Sequence, residues 1–254
     1  MLPYDEAGTG PALILLHAGV ADRRMWAQHL EPLAAAGYRV VALDLPGFGD
    51  AHVTAGEQAP WVDVLGALDE LGIDRAVLVG NSFGGAVAQR AALVAPERAS
   101  ALALISAPAP DLEPSEELEA IWAAEEEAIE RGDLEAAARA VVDGWTLPGA
   151  PDELREQIAA MQMRAYELQE DVDVSEAPDP LEENPERLSE LRMPTLVAAG
   201  EHDKRDFIAG AESMASAIPN ARHHLIAGAG HLAPLETPDA FRELLLDFLA
   251  KSSG

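Results

Sequence analysis

Residues 76–94 read AVLVGNSFGGAVAQRAALV, and the order of the parts within this stretch decides the fold. The four apolar residues 76–79 form a run without alternation, as expected of a strand buried on both faces. Gly80-Asn81-Ser82-Phe83-Gly84 supplies a tight turn, and 83–94 continues at helical spacing until Pro96 stops it. A Gly-x-Ser-x-Gly turn between strand and helix lifts the serine hydroxyl above the sheet edge, and its glycines remove Cβ clashes. The helix N-terminus favours negative charge nearby, which makes the backbone N–H of Phe83 a candidate oxyanion donor. The plainer use of Ser82 is to cap a glycine-rich turn, so its partners must be sought elsewhere in the chain.

Working outward, similar apolar runs occur at 12–16, 39–43, 100–105, 195–199 and 222–226. Helix-like stretches separate them at 25–36, 60–71 and 238–249. Strands alternating with helices predict an α/β fold with a mostly parallel sheet flanked by helices. The alternation breaks after Ser106. From 108 to 190 no strand-like run is expected, while 115–130, 133–143 and 151–168 read as helices and 172–185, with its prolines and acids, as a returning loop. Leu154, Ile158, Met161, Ala165 and Leu168 fall on one face of the third helix, and Met161 reads as core. The predicted organisation is a core of 1–107 and 191–254 with a helical insertion at 108–190.

The chain has 254 residues, a formal charge of −28 and no cysteine. Without cysteine there is no disulfide framework, thiolate zinc site or cysteine nucleophile. Nucleic acid and anionic membranes need a basic footprint, so neither is an expected partner. Residues 111–190 carry net −20, against −8 for the other 174. The plain reading of that charge is solvated helix surface. No segment has the length of a membrane span, and the chain reads as a soluble, cytoplasmic protein binding a small-molecule substrate. His223 and His224 are strand neighbours on opposite faces, and His29, His52 and His202 are isolated; no metal and no cofactor are predicted.

At residues 80–84 the chain resembles the α/β-hydrolase family, in its serine-esterase form, and the resemblance runs over nearly its full length outside the insertion. It implies the chain order serine, acid, histidine. Gly200-Glu201-His202-Asp203 resembles the family's acid turn, with Asp203 as the acid. Gly228-Ala229-Gly230-His231 resembles its histidine loop. A serine hydroxyl needs an imidazole base, and a buried carboxylate fixes the tautomer of that base. Asp203 has a plainer use as a helix cap, Glu201 competes as the acid, and Asp111 occupies a place where some relatives carry theirs. His17-Ala18-Gly19-Val20 resembles the loop that donates the second oxyanion N–H, which maps to Gly19. Ala18 stands where glycine is usual, and an alanine resists positive φ. His17 reads as a support for this loop. Residues 2–6 allow one short strand before Ala12, so the first strand of the family's usual eight is expected to be missing.

In this family the insertion caps the pocket. Trp26, Trp122, Trp145 and Tyr166 are the candidate substrate contacts, each of which has packing as its alternative use. The expected reaction is hydrolysis of a small neutral ester or lactone through an acyl-enzyme. The alternative is carbon–carbon bond hydrolysis of ring-fission products, which the Asn81-Ser82-Phe83-Gly84-Gly85 elbow resembles, although residues 18–23 do not match the loop of those relatives. A slow-turnover ligand receptor is the reading from another class.

Overall fold

The computed structural model describes residues 1–110, 113–169, 172–182 and 184–252. In chain order the strands are β1 (Tyr4–Ala7), β2 (Ala12–Leu16), β3 (Arg39–Leu43), β4 (Gly56–Gln58), β5 (Ala76–Asn81), β6 (Ala99–Ile105), β7 (Val174–Glu176), β8 (Thr195–Gly200) and β9 (Ala221–Ile226). The helices are α1 (Ala27–Ala35), α2 (Pro60–Glu70), α3 (Phe83–Val94), α4 (Glu116–Glu130), α5 (Leu134–Trp145), α6 (Asp152–Gln169), α7 (Arg205–Ala217), α8 (Ala233–Glu236) and α9 (Pro238–Ser252).

Seven strands form the main sheet in the order β1-β3-β2-β5-β6-β8-β9, one fewer than the family's usual eight. β1 runs antiparallel to β3 at one edge, and every other pair is parallel. The unbroken apolar runs have a direct cause: both faces are covered. Ile14, Leu16 and Leu78 point into a core with Val64 and Leu68 of α2, Val87 and Ala91 of α3 and Met214 of α7. Leu13, Leu15 and Val79 point into the opposite core with Leu33 of α1 and Phe241, Leu245 and Phe248 of α9. The period of two within each run therefore sorts side chains between two apolar layers.

Two sequence expectations change. The predicted helix at 25–36 begins as a 3-10 turn, Arg23–Trp26, in which the Asp22 side chain accepts from the Arg24 N–H. The 172–185 segment is not all loop, since β7 pairs in parallel with β4 as a separate two-stranded sheet. Three residues carry too little periodicity to announce a strand, and the pairing depends on a partner more than a hundred positions away. The insertion between β6 and β8 otherwise holds α4, α5 and α6, with Ile158, Met161, Ala165 and Leu168 buried as the periodicity predicted. No helix among the described residues is long and apolar enough to cross a membrane.

His29 on α1 is wholly buried, with its ring against Phe241 at 5.0 Å and its Nε2 donating to Pro234 O at 2.8 Å. Burial, only partly offset by that carbonyl, pushes its pKa down to about 4. A histidine held neutral in the fold stabilises it above the unfolded pKa of about 6.5, and that stability is lost as pH falls toward the folded value. The difference in unfolding free energy between pH 7 and pH 4 should shrink by about 3 kcal/mol in His29→Phe relative to the wild-type chain. Denaturant titrations at the two pH values measure it, and equal pH slopes in both proteins would refute the assignment.

Candidate active site

Ser82 joins β5 to α3 with φ 51° and ψ −117°, a conformation that side chains rarely adopt. The neighbouring glycines allow it. A Cβ on Gly80 would strike the Gly84 carbonyl, and one on Gly84 would strike the Leu16 carbonyl of the next strand. The Ser82 N–H donates to Ile105 O at 2.8 Å, so the turn is pinned to β6. Phe83 is the first residue of α3, where N–H groups have no partner within the helix.

Two turns at the same end of the sheet bring in the acid and the histidine. Asp203, 9 % exposed, follows β8, and His231, 4 % exposed, follows β9. His231 Nδ1 lies 2.9 Å from Asp203 Oδ1, which also accepts the Lys204 N–H at 2.7 Å. A carboxylate can only accept, so Nδ1 carries the proton and Nε2 keeps its lone pair. The competing uses fare differently. Glu201 is exposed and takes the Gly228 N–H at 3.0 Å, and α7 starts after Lys204, so Asp203 is not its cap. Asp111 lies outside the described residues.

Asn81 connects the serine turn to the histidine loop. Its Nδ2 donates to Ile105 O and to His231 O, each at 3.0 Å. The sequence offers one signal for this, a buried polar residue closing an otherwise apolar strand. Glu236 was missed. Its Oε2 accepts the Gly230 N–H at 2.8 Å and its Oε1 accepts the Leu147 N–H at 3.0 Å, joining the residue before His231 to the insertion just after α5. Burial raises its pKa against those two hydrogen bonds. A lone acid in the apolar stretch 232–237 was the available clue. Glu236→Ala should cost about 1–3 kcal/mol, because it leaves two N–H groups without an acceptor. Thermal melts test this, and an unchanged midpoint would refute it.

The loop after β2 holds its shape without positive φ at Ala18: among the described residues the non-glycine positions with positive φ are Ser82 and Ser106. The alanine is therefore compatible with the loop. His17 is wholly buried, its Nδ1 donating to Ala18 O at 2.8 Å and its Nε2 accepting the Leu45 N–H at 2.9 Å. Burial lowers its pKa, and protonation would break the bond to Leu45, so it supports the loop as a neutral ring. Gly19 sits beside Phe83, whose Cβ would be 3.4 Å from a Cβ placed on Gly19.

The four aromatic candidates separate. Trp26 has no exposed surface and packs with Phe241 at 5.8 Å, so it is core and offers no face to a ligand. Trp122 is 46 % exposed on α4 and takes no part in the buried clusters. Trp145 at the end of α5 lies over the His231 ring at 4.5 Å, with Phe207 at 4.3 Å from that ring. Tyr166 on α6 donates to Glu125 Oε1 of α4 at 2.7 Å, so its polar tip is used within the insertion. Among the described residues no group of three or more His, Cys, Asp or Glu is placed to hold a metal ion.

Comparison with known proteins agrees with this architecture. The model of the alpha/beta hydrolase fold family matches residues 11–238. The chain is 34% identical to a 2-hydroxy-6-oxo-6-phenylhexa-2,4-dienoate hydrolase of Burkholderia cepacia, over 97% of this chain and 90% of that protein. Among solved structures it is similar to a thermophilic esterase from Thermogutta terrifontis, with TM-score 0.80 and 28% identity over 100% of this chain and 94% of the other. It is similar as well to an enol-lactonase from Burkholderia xenovorans, with TM-score 0.80 and 25% identity over 98% of this chain and 96% of the other. A sheet turned by Ser82, a His231–Asp203 pair at the same end and a family match spanning most of the sequence lead to one assignment: the chain belongs to the alpha/beta hydrolase fold family.

Proposed function

We propose that this hydrolase uses Ser82 as nucleophile on a substrate carbonyl and cleaves the carbon–carbon bond beside it. The observation that carries the choice of bond is the full-length similarity to a carbon–carbon bond hydrolase, 34% identity over 97% of the chain. This reverses the order in which the sequence ranked the two bonds. In the proposed sequence Ser82 Oγ adds to the carbonyl carbon and its proton passes to His231 Nε2. Asp203 holds the imidazolium, and the N–H groups of Phe83 and Gly19 receive the oxyanion. The carbon leaving group departs with the bonding electrons, stabilised as an enolate, and takes a proton from His231. Water then releases the acyl group from Ser82. The insertion at 108–190 serves as a cap, with Trp145 holding the His231 ring in place.

A second reading, hydrolysis of a small neutral ester or lactone, rests on charge. All five arginines of the insertion are paired with acids: Arg131 with Glu127, Arg139 with Glu135, Arg155 with Asp143, Arg164 with Glu167 and Arg187 with Glu190. A substrate carboxylate would find no unpaired insertion arginine in a segment of net −20. One competition assay separates the two readings. A 6-oxo-dienoate should be cleaved with kcat/KM at least tenfold above p-nitrophenyl acetate and a neutral γ-lactone. The reverse ranking establishes the ester reading, and no turnover above a Ser82→Ala control removes both.

A further inference from the structure

A cavity of about 670 Å³ lies between α3, the start of α2, the turn after β3 and the β7 segment of the insertion. Its lining includes Phe83 and Phe48 but not Ser82, Asp203 or His231. Those two rings, 5.9 Å apart, form its wall toward the loop after β2: Phe48 meets the His17 ring at 4.9 Å, and Phe83 abuts Gly19. The volume is that of a pocket for a drug-sized molecule.

The chemistry of the walls defines the occupant. Trp61, Phe83, Val87 and Val174 present apolar surface. Arg90, the only cation among the described lining residues, is 12 % exposed and already pairs with Asp179 at 2.6 Å; it also donates to Ala86 O at 3.2 Å. Glu176 then leaves the described lining residues with a net negative charge. An anion entering this space would find Arg90 already committed to Asp179, with the solvent-exposed Glu176 adding a weaker, screened repulsion, whereas an uncharged or cationic apolar molecule faces no such cost.

We propose that this cavity is a second binding site, separate from Ser82, for an apolar small molecule that is uncharged or singly cationic. The site does not depend on which bond Ser82 cleaves. Its occupant would touch the Phe83 side chain on one side and the chain leaving the insertion on the other.

The test uses two dyes with the same aryl frame, uncharged N-phenyl-1-naphthylamine and the anionic 8-anilinonaphthalene-1-sulfonate, titrated into the full chain. The uncharged dye should bind saturably at one per chain, at least tenfold tighter than the sulfonate. Val53→Trp and Ala177→Trp, both at partly exposed positions of the lining, should each weaken binding at least tenfold while far-UV melts stay within a few degrees. Blocking Ser82 with phenylmethanesulfonyl fluoride, followed by intact mass, should change affinity less than twofold; failure of that adduct would count against the nucleophile and not against the cavity. Hydrogen exchange on the unmodified chain supplies a readout free of variants, with protection expected at 46–61 and 172–179. Absent saturation, preference for the sulfonate, binding that survives both tryptophans, or protection confined to the loop around His231 would each overturn the proposal.

Discussion

Replacing Ser82 by alanine is expected to lower kcat/KM by about 10⁴–10⁶-fold with little change in the fold. The turn that raises Ser82 exists because Gly80 and Gly84 leave room for the backbone around that single residue. The same geometry gives a signed stability prediction. At φ 51° and ψ −117° a serine backbone is strained by about 1–3 kcal/mol. Ser82→Gly removes that strain and adds a smaller unfolded-state entropy cost. It should therefore be inactive yet melt a few degrees above the wild-type chain. A glycine variant that melts lower would mean that the Ser82 side chain contributes to the fold, and the nucleophile assignment would lose its physical basis.

Asp203→Asn is expected to cost about 10⁴-fold in kcat while leaving most of the structure in place. Asp203 Oδ1 accepts from both His231 Nδ1 and the Lys204 N–H, whereas its Oδ2 is buried without a partner. An asparagine whose oxygen takes the Oδ1 position still accepts from both donors but carries no charge, and its NH2 is buried without an acceptor where Oδ2 stood; the flipped amide sets its NH2 against two N–H donors. In the first case the imidazolium formed when His231 takes the Ser82 proton has lost its carboxylate, and in the second the imidazole must carry its proton on Nε2; either way His231 is a poorer base for Ser82. The loss should appear in kcat more than in KM, because substrate contacts are untouched. A fall of less than about tenfold would argue that Asp203 only anchors the loop. Glu236→Ala offers a contrast, since it loosens the same loop without altering the tautomer, and should change stability more than the pH profile.

Two kinds of information were legible at different depths. The strand runs and the glycine-framed turn were legible because each depends on a few adjacent residues, and the Asp203 and His231 turns because they resemble the family's acid and histidine turns. Unbroken apolar runs mark strands covered on both sides, and Gly80 and Gly84 mark a place where no Cβ fits. The four aromatics were not legible. Trp26 and Trp145 have the same chemistry, yet one is sealed against Phe241 and the other lies on His231. Trp122, one insertion helix earlier than Trp145, is half exposed on α4. Their fates depend on which helix packs on which, and sequence spacing is silent about that.

By itself the sequence determined the alternation of strand and helix, the elbow at Ser82 and the order in which Ser82, Asp203 and His231 occur. The alternation and the elbow follow from hydrophobic period and local sterics, and the order of the three residues from the resemblance of their turns to those of the family. Only the tertiary structure decided that Asn81 reaches His231, 150 positions away, and that Glu236 reaches Leu147, 89 positions away. It alone closed β7 onto β4 and opened the cavity behind Phe83. The physical reason is that a hydrogen bond between distant segments is fixed by the packing that brings them together. A short polar residue such as Asn81 or Glu236 carries no mark of its partner until that packing exists.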